Sequence, residues 1–151
     1  MNKDEYFMRL ALEEAQKSYK EAEVPIGAVI TLNNEVIATG RNQRETKKSA
    51  LWHAEIEAIS KACTALGAWR LNQCAIYVTL EPCPMCAGAI INSRIARLVF
   101  GAYDQKAGSC GSIINLFDLP YNHKPEVLGG ILNDECSTLL SNFFKELRKH
   151  K

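Results

Sequence analysis

The sequence lacks any hydrophobic run long enough to span a membrane, and it lacks a signal peptide. Its first residues are charged and lead directly into an amphipathic pattern, whereas a signal peptide has a basic start followed by an apolar stretch. Linkers and internal repeats are also missing, and the net charge is only +1 over 151 residues. These absences predict a cytoplasmic protein without a membrane partner, folded as a single domain over residues 1–151.

Disulfide bonds are not expected, although the chain contains six cysteines. In the cytoplasm, cysteines are more often reduced or metal-bound than paired. Cys83 and Cys86 stand three residues apart in Pro82-Cys83-Pro84-Met85-Cys86. If a helix begins here, both thiolates share its first turn and reach one ion. The other four are interpreted as small buried hydrophobic residues: Cys63, Cys74, Cys110 and Cys136.

A third ligand and a carboxylate lie upstream, in His53-Ala54-Glu55. Three protein ligands without an obvious fourth are typical of a catalytic zinc site, where water takes the open position. Zinc lowers the pKa of such a water to about 7, and Glu55 is placed to move its proton. His-x-Glu followed by Pro-Cys-x-x-Cys is the signature of zinc nucleobase deaminases. The sequence therefore predicts one Zn²⁺ per chain and a catalytic role for Glu55.

Two other interpretations of the cysteine pair explain less. A redox Cys-x-x-Cys gives no reason for a distant His-x-Glu. A purely structural zinc module needs a fourth ligand, such as Cys110, Cys136 or His123, and it leaves Glu55 without a role.

Hydrophobic periodicity predicts alternating helices and strands. Strands are expected at 28–32, 36–39, 75–80, 97–101 and 126–132, and helices at 4–20, 53–65, 84–94, 113–117 and from 134 onward. Asn33-Asn34 is expected to join the first two strands as a hairpin, and the later strand-helix-strand units favour parallel pairing. Glycines and serines between 101 and 112 predict a flexible loop. We predict a three-layer α/β/α domain around a mixed sheet of five strands.

Basic residues are concentrated in two clusters. Residues 1–40 carry four Lys/Arg against seven Asp/Glu, whereas residues 41–151 carry fourteen against ten. The clusters are Arg41, Arg44, Lys47 and Lys48 in a polar loop, and Lys145, Arg148, Lys149 and Lys151 at the C-terminus. Such clusters are most often solvated surface, and their alternative role is phosphate binding.

The chain resembles the bacterial tRNA-specific adenosine deaminases over nearly its whole length. The resemblance is carried by Val24–Val29, His53–Glu55, Val78–Ala89 and Gly101–Asp104, and it extends to Phe143-Phe144. It implies a cytidine-deaminase-like fold, a homodimer, and conversion of adenosine to inosine at the wobble position of a tRNA anticodon. The expected partner is therefore a tRNA anticodon stem-loop.

The resemblance also implies roles for individual residues. It makes His53, Cys83 and Cys86 the zinc ligands and Glu55 the proton shuttle. It assigns contacts with the nucleoside or the RNA to four further residues: Asn42, Ala54, Asp104 and Asn122. For Asn42 and Asp104 the simpler alternative is a hydrogen bond to loop backbone, which these residue types often make.

The chain departs from the family pattern immediately before His53. Where the family usually has Asp-Pro-Thr-Ala, this sequence has Ser49-Ala50-Leu51-Trp52. A tryptophan here is able to stack on a base, but one beside an apolar residue packs more often in a core or a subunit interface. We expect such packing for Trp52, together with altered loop geometry.

Three functions remain compatible with the sequence. The basic clusters and the C-terminal resemblance favour a tRNA adenosine deaminase. A deaminase of free guanine, cytosine or a nucleoside shares the same zinc motif. A non-catalytic zinc module is the third hypothesis, and Glu55 opposes it.

Overall fold

The structure, a computed structural model, describes residues 2–150 and is built on a mixed sheet of five strands. The strands are β1 (Gly27–Leu32), β2 (Glu35–Arg41), β3 (Cys74–Leu80), β4 (Arg97–Ala102) and β5 (Glu126–Gly129), in the order β2-β1-β3-β4-β5. The helices are α1 (Lys3–Lys20), α2 (Arg44–Lys47), α3 (Ala54–Leu66), α4 (Pro84–Ser93) and α5 (Asn133–Lys149), with a 3₁₀ turn at Leu116–Asp118.

Strand direction changes across the sheet, as the connections require. Strand β1 pairs antiparallel with β2 and β3, whereas β3, β4 and β5 run parallel. Asn33 and Asn34 between β1 and β2 have φ of 53° and 63°, the conformation that a two-residue hairpin turn needs. Helix α4 supplies the long crossover that the parallel neighbours β3 and β4 need. The predicted hairpin and the later parallel pairing are both confirmed.

Helices cover both faces of the sheet, because alternate strand side chains point to opposite faces. Ile76 and Val78 of β3 are fully buried in the cluster beneath α3 and α4. Tyr77, which lies between them in sequence, packs in the cluster beneath α1 and α5. The predicted three-layer α/β/α architecture is therefore confirmed.

Helix α3 lies directly against strand β2 because Gly40 has no side chain. A Cβ at Gly40 would clash with the main-chain oxygen of Ala54 and the main-chain nitrogen of Ala58. Both alanines are themselves fully buried. This close packing holds the first turn of α3 against the sheet, and it fixes the position of His53 immediately before that turn.

Some predicted boundaries need correction. The last strand ends at Gly129 rather than at residue 132, because Gly130 and Leu132 have φ of 89° and 55° and leave the extended region. The helix expected at 113–117 is instead the 3₁₀ turn at Leu116–Asp118. Within residues 2–150, none of the helices is both long and apolar enough to cross a bilayer.

An ion pair joins the start of α1 to strand β4 and gives a testable pH dependence. Arg97 donates to both carboxylate oxygens of Asp4, at 2.7 and 2.9 Å, and the Tyr77 hydroxyl donates to Asp4 Oδ1 at 2.9 Å. The bonds from Arg97 hold the pKa of Asp4 below its usual 3.8. The stabilisation is therefore complete above pH 3.8, and it is lost as the pH falls through the folded-state pKa.

We expect Asp4→Asn to lower the free energy of unfolding by about 1 to 3 kcal/mol at pH 7. The difference from wild type should shrink as the pH is lowered below 3.8, measured by thermal denaturation across a pH series. Glu126→Gln is the matched control, since Glu126 faces the same Arg97 at 3.5 Å but is 74% exposed. An Asp4→Asn effect that did not change with pH would contradict this account.

Candidate active site

Three ligand atoms converge where the N-termini of α3 and α4 meet. The Nδ1 atom of His53 lies 3.6 Å from the sulfur of Cys83 and 3.6 Å from the sulfur of Cys86. All three atoms lie within 4.8 Å of one another. The structure thus brings together the three residues that the sequence predicts as zinc ligands.

Local sequence explains why these side chains share one point. His53 is the N-cap of α3 and Cys83 the N-cap of α4, both with extended backbone, and Cys86 lies in the first turn of α4. Pro84 occupies the first position of α4, where its missing N–H costs nothing. Both helix N-termini carry partial positive charge, which favours thiolates and other anions at this point.

The donor set fits a tetrahedral zinc ion. A hydrogen bond from Cys86 and the contact with His53 outweigh the cost of burial and lower the pKa of Cys83 to about 4. One thiolate is therefore already favoured at neutral pH, and metal binding requires thiolates. With Zn–S near 2.3 Å and Zn–N near 2.0 to 2.1 Å, tetrahedral ligands of these two kinds stand about 3.6 Å apart. The separations of His53 from the two cysteines match that value.

The three residues named as fourth ligands of a closed zinc module are not part of the cluster. Among residues 2–150 the group comprises only His53, Cys83 and Cys86. Cys110 is buried in a short bridge with Asn115, and His123 Nε2 lies 2.7 Å from the carbonyl of Ile95. Cys136 lies in α5 against β4. Three ligands would leave one position of a tetrahedral ion open, as the hypothesis of a catalytic site requires.

A small cavity of about 140 Å³ opens beside the cluster and contains Glu55. Glu55 follows His53 on the first turn of α3, is only 4% exposed, and lies on the cavity wall. Burial raises the pKa of Glu55 to about 7, the range in which a general acid–base group works at neutral pH. The apolar part of the wall comes from Val24, Ile26, Leu80 and Ala107.

Asn42 and Asp104 line the same cavity, and each also shapes a loop. Asn42 Nδ2 donates to the carbonyl of Val24 at 3.1 Å, and its Oδ1 accepts from the N–H of Arg44 at 3.2 Å. Asp104 Oδ1 accepts from the N–H groups of Lys106 and Ala107 at 2.9 and 3.2 Å. The backbone bonds named as the alternative for these residues are therefore present, and both side chains still face the cavity.

Two of the predicted contact residues do not present a side chain to the cavity. Ala54 is fully buried in the core beneath α3, so it offers only its main chain. Asn122 is exposed in the connection before β5 and is not part of the cavity wall. Trp52 is partly exposed rather than a core residue, and its indole N–H donates to Glu57 at 2.8 Å.

Sequence reasoning missed Glu81, which lines the cavity and organises the neighbouring segment 104–112. Glu81 is 2% exposed and accepts hydrogen bonds from the N–H groups of Asp104, Cys110 and Ser112 at 3.0 to 3.1 Å. Burial would raise its pKa, but these bonds and one from the Ser112 hydroxyl prevail and lower it. The segment 104–112, which lies in the predicted flexible loop, is therefore anchored to Glu81 through three main-chain N–H groups. The sequence did contain a signal for this role, because Glu81 is a charged residue without an assigned function between a buried strand and Pro82-Cys83.

A larger groove lies elsewhere, between α1 and α5. Its volume is about 620 Å³, and it is lined by polar residues of both signs, including Arg9, Glu13 and Glu135. None of the predicted site residues borders it. His53, Glu55 and Cys83 border the smaller cavity instead.

Known proteins share both the sequence and the fold of this chain. A family model described as MafB19-like deaminase matches residues 1–148. A tRNA-specific adenosine deaminase of Bacillus subtilis (strain 168) is 51% identical over 152 residues, which cover 100% of this chain and 94% of that protein. The corresponding enzyme of Aquifex aeolicus (strain VF5) is 43% identical, over 97% of each chain.

Solved structures agree with this relationship. One, from a study of A-to-I editing by tRNA:A34 deaminases at the wobble position of transfer RNA, has a TM-score of 0.86 and 44% identity, covering 89% of this chain and 98% of that one. A guanine deaminase from Nitrosomonas europaea has a TM-score of 0.77 and 26% identity, covering 92% and 83%. Since the likeness extends over almost the full length of both partners, the chain belongs to the MafB19-like deaminases and, among them, to the family of tRNA-specific adenosine deaminases.

Proposed function

We propose that this protein converts adenosine to inosine at the wobble position of a tRNA anticodon, with one zinc ion per chain held by His53, Cys83 and Cys86. The observation that carries the proposal is that the three-residue cluster borders one small cavity, through His53 and Cys83, together with the buried carboxylate of Glu55. A bound zinc ion supplies the Lewis acidity that makes water nucleophilic near neutral pH.

Glu55 moves the protons. Its carboxylate accepts a proton from the attacking water, whose oxygen bonds to C6 of adenine. The same group delivers that proton to the ring nitrogen N1, then accepts the second proton from the hydroxyl formed on C6 and delivers it to the amine as the C6–N bond breaks. Water and adenosine thereby become inosine and ammonia, and no further reactant is needed. A buried carboxyl with a raised pKa suits both directions of this transfer.

The cavity size supports a single base as the group that enters. Pockets for drug-sized ligands measure roughly 300 to 1,000 Å³, whereas this one measures about 140 Å³. A base must therefore leave its stack and enter alone, which is easiest in a single-stranded loop. We propose that Asn42 and Asp104 contact it, and that Ala54 contributes only a main-chain N–H. Asn122 is proposed to contact RNA outside the cavity.

The rest of the RNA then lies across basic surface. Arg44 borders the cavity, and Lys47 and Lys48 are exposed beside it. Arg41 is less available, because it is paired with Glu21 at 2.7 and 3.2 Å. In the second basic cluster, Lys145, Arg148 and Lys149 are exposed on α5, and Lys151 lies outside the described residues.

We also propose a homodimer in the cytoplasm, where tRNA is available as a substrate. Large apolar side chains are exposed near the 3₁₀ turn, including Ile113 (60%), Ile114 (45%) and Tyr121 (55%). Leu51 in the rim of the cavity is 60% exposed. Apolar side chains of this size are typical of surfaces that a second subunit covers.

Deamination of a free base is the second candidate function. The fold shared with a guanine deaminase at 26% identity favours it. The higher identity to tRNA-specific adenosine deaminases and the exposed basic residues beside the cavity favour an RNA substrate instead.

The substrate is tested by offering the purified protein an anticodon stem-loop with adenosine at the wobble position, and separately guanine, cytosine and adenosine. We expect inosine in the stem-loop and no ammonia from the free compounds. Stem-loop affinity should fall with salt, by about 0.7 log units per log unit of salt for each neutralised phosphate. Rapid turnover of a free base with no inosine in the stem-loop would establish the second function.

A further inference from the structure

The segment 43–52 forms the outer rim of the cavity, and little regular structure holds it. This rim segment runs from β2 to α3 and includes only the single turn α2. Asn42 precedes it and His53 follows it, and both line the cavity. It also contains Ser49–Trp52, where the sequence departs from the family pattern. The position of the rim segment therefore depends on individual hydrogen bonds.

One buried carboxylate holds the end of β2 and the end of the rim segment. Glu57 is 4% exposed and lies on α3. Its Oε1 accepts from the N–H of Arg41 at 3.2 Å, and its Oε2 accepts from the indole N–H of Trp52 at 2.8 Å. The N–H of Gln43 donates to the carbonyl of Trp52 at 3.1 Å, which closes the segment on itself. Glu57 thus ties the end of β2 and the end of the rim segment to α3.

The hydrogen bonding of Trp52 and Glu57 is not reproduced by the amino acids most similar to them in shape, phenylalanine and glutamine. Lys61 Nζ lies 3.3 Å from Glu57 Oε1, so the buried carboxylate has a cationic partner. A phenylalanine at position 52 keeps an aromatic ring but lacks the N–H, which leaves Oε2 without its donor. A glutamine at position 57 replaces one oxygen by an NH₂ group, so one of the two N–H donors then meets another donor. Either change weakens one of the two bonds by which Glu57 holds this region to α3.

We propose that Trp52 and Glu57 are positioning residues for the deamination. Neither lines the cavity, and they act by holding the rim segment against α3, so that Asn42 beside it and Arg44 within it keep their places on the cavity wall. The inference rests on the proposed function, because it assigns a base to the cavity that these two residues border. Glu55 and the two cysteines are placed by α3 and α4. Release of the rim segment therefore affects substrate affinity more than the chemical step.

The test compares Trp52→Phe and Glu57→Gln with the double variant, using a stem-loop substrate. We expect each single variant to raise KM about tenfold or more, with a smaller change in kcat. The KM of the double variant should not exceed that of the single variant with the higher KM, because both substitutions remove the same hydrogen bond between Trp52 and Glu57. Zinc content should stay at one ion per chain. Trp69→Phe is the matched control, because Trp69 lies outside the cavity wall and stacks on Arg70 and Arg94.

A second readout does not depend on turnover. In a Glu55→Gln background, the affinity for the stem-loop should weaken by the same factor when Trp52→Phe is added. Wild-type KM in folded, zinc-loaded Trp52→Phe and Glu57→Gln would overturn the inference, as would additive effects in the double variant. If Glu57→Gln does not fold, Trp52→Phe and the binding measurement decide. If the unchanged protein forms no inosine in the stem-loop, the proposed function is overturned instead. In that case, an affinity for the stem-loop that Trp52→Phe leaves unaltered would overturn this inference too.

Discussion

Glu55→Gln is expected to reduce inosine formation by about 10²- to 10⁴-fold, the usual contribution of a general acid–base group. Glutamine fills the same space but carries no transferable proton at neutral pH. Because Glu55 is buried and is not a member of the ligand cluster, zinc content should stay at one ion per chain. The unfolding temperature should not fall, since the change removes a buried carboxyl.

Glu45→Gln is a suitable control for this experiment. Glu45 is a glutamate of the exposed turn α2, in the rim segment, and its side chain is not part of the cavity wall. We expect its kcat to match that of the unchanged protein. Activity of Glu55→Gln within tenfold of wild type would remove Glu55 from the proton transfers and leave the carboxylate of the cavity without a chemical role.

Cys86→Ala is expected to abolish stable zinc binding and, with it, deamination. The substitution leaves His53 and Cys83 as the only ligands of the cluster, and two protein ligands do not hold zinc as a catalytic site does. The unfolding temperature should also fall, because a ligand bound only by the folded state stabilises it by about 4.1 kcal/mol at a thousandfold excess over Kd. Metal analysis after dialysis, followed by thermal denaturation with and without added zinc, measures both effects.

Cys74→Ala provides the matched comparison for Cys86→Ala. Cys74 is 1% exposed, nearly as buried as Cys86 at 0%, but it lies at the start of β3 and is not a member of the ligand cluster. We expect Cys74→Ala to retain one zinc per chain. Added zinc should raise its unfolding temperature by the same amount as it does for the unchanged protein. Full zinc content in Cys86→Ala would show that this thiolate is not a ligand.

The candidate metal ligands were predictable because their geometry is largely local. A proline followed by cysteines three residues apart specifies a helix start with both thiolates on its first turn, and His53 stands at a similar start. The fold was predictable for a related reason. The strand-helix-strand order along the chain fixes the parallel pairing of β3 and β4, and Asn33-Asn34 fixes the hairpin.

Contacts between distant parts of the chain were not predictable. Glu81 finds its donors 23 to 31 residues away, and Arg41 pairs with Glu21 across 20 residues. Polarity alone placed Arg41 in a free basic cluster, whereas the fold supplies it with a carboxylate. Trp52 was expected to pack in a core or a subunit interface because it stands beside an apolar residue; it is not a core residue, and its indole N–H donates to Glu57 at the rim. Such pairings depend on tertiary packing, which periodicity does not describe.

The two walls of the cavity differ in how freely evolution can alter them. The 104–112 wall depends on Glu81, two residues before Cys83, and on Gly108, whose Cβ would clash with that carboxylate. A substitution there disturbs a ligand segment together with the wall, so a change of substrate would be accompanied by a loss of chemistry. The rim segment depends on side chains outside the cavity, so it can diverge while the ligands keep their places. New substrate preferences in this scaffold should therefore arise first in the rim segment, where Ser49–Trp52 already differs from the family pattern.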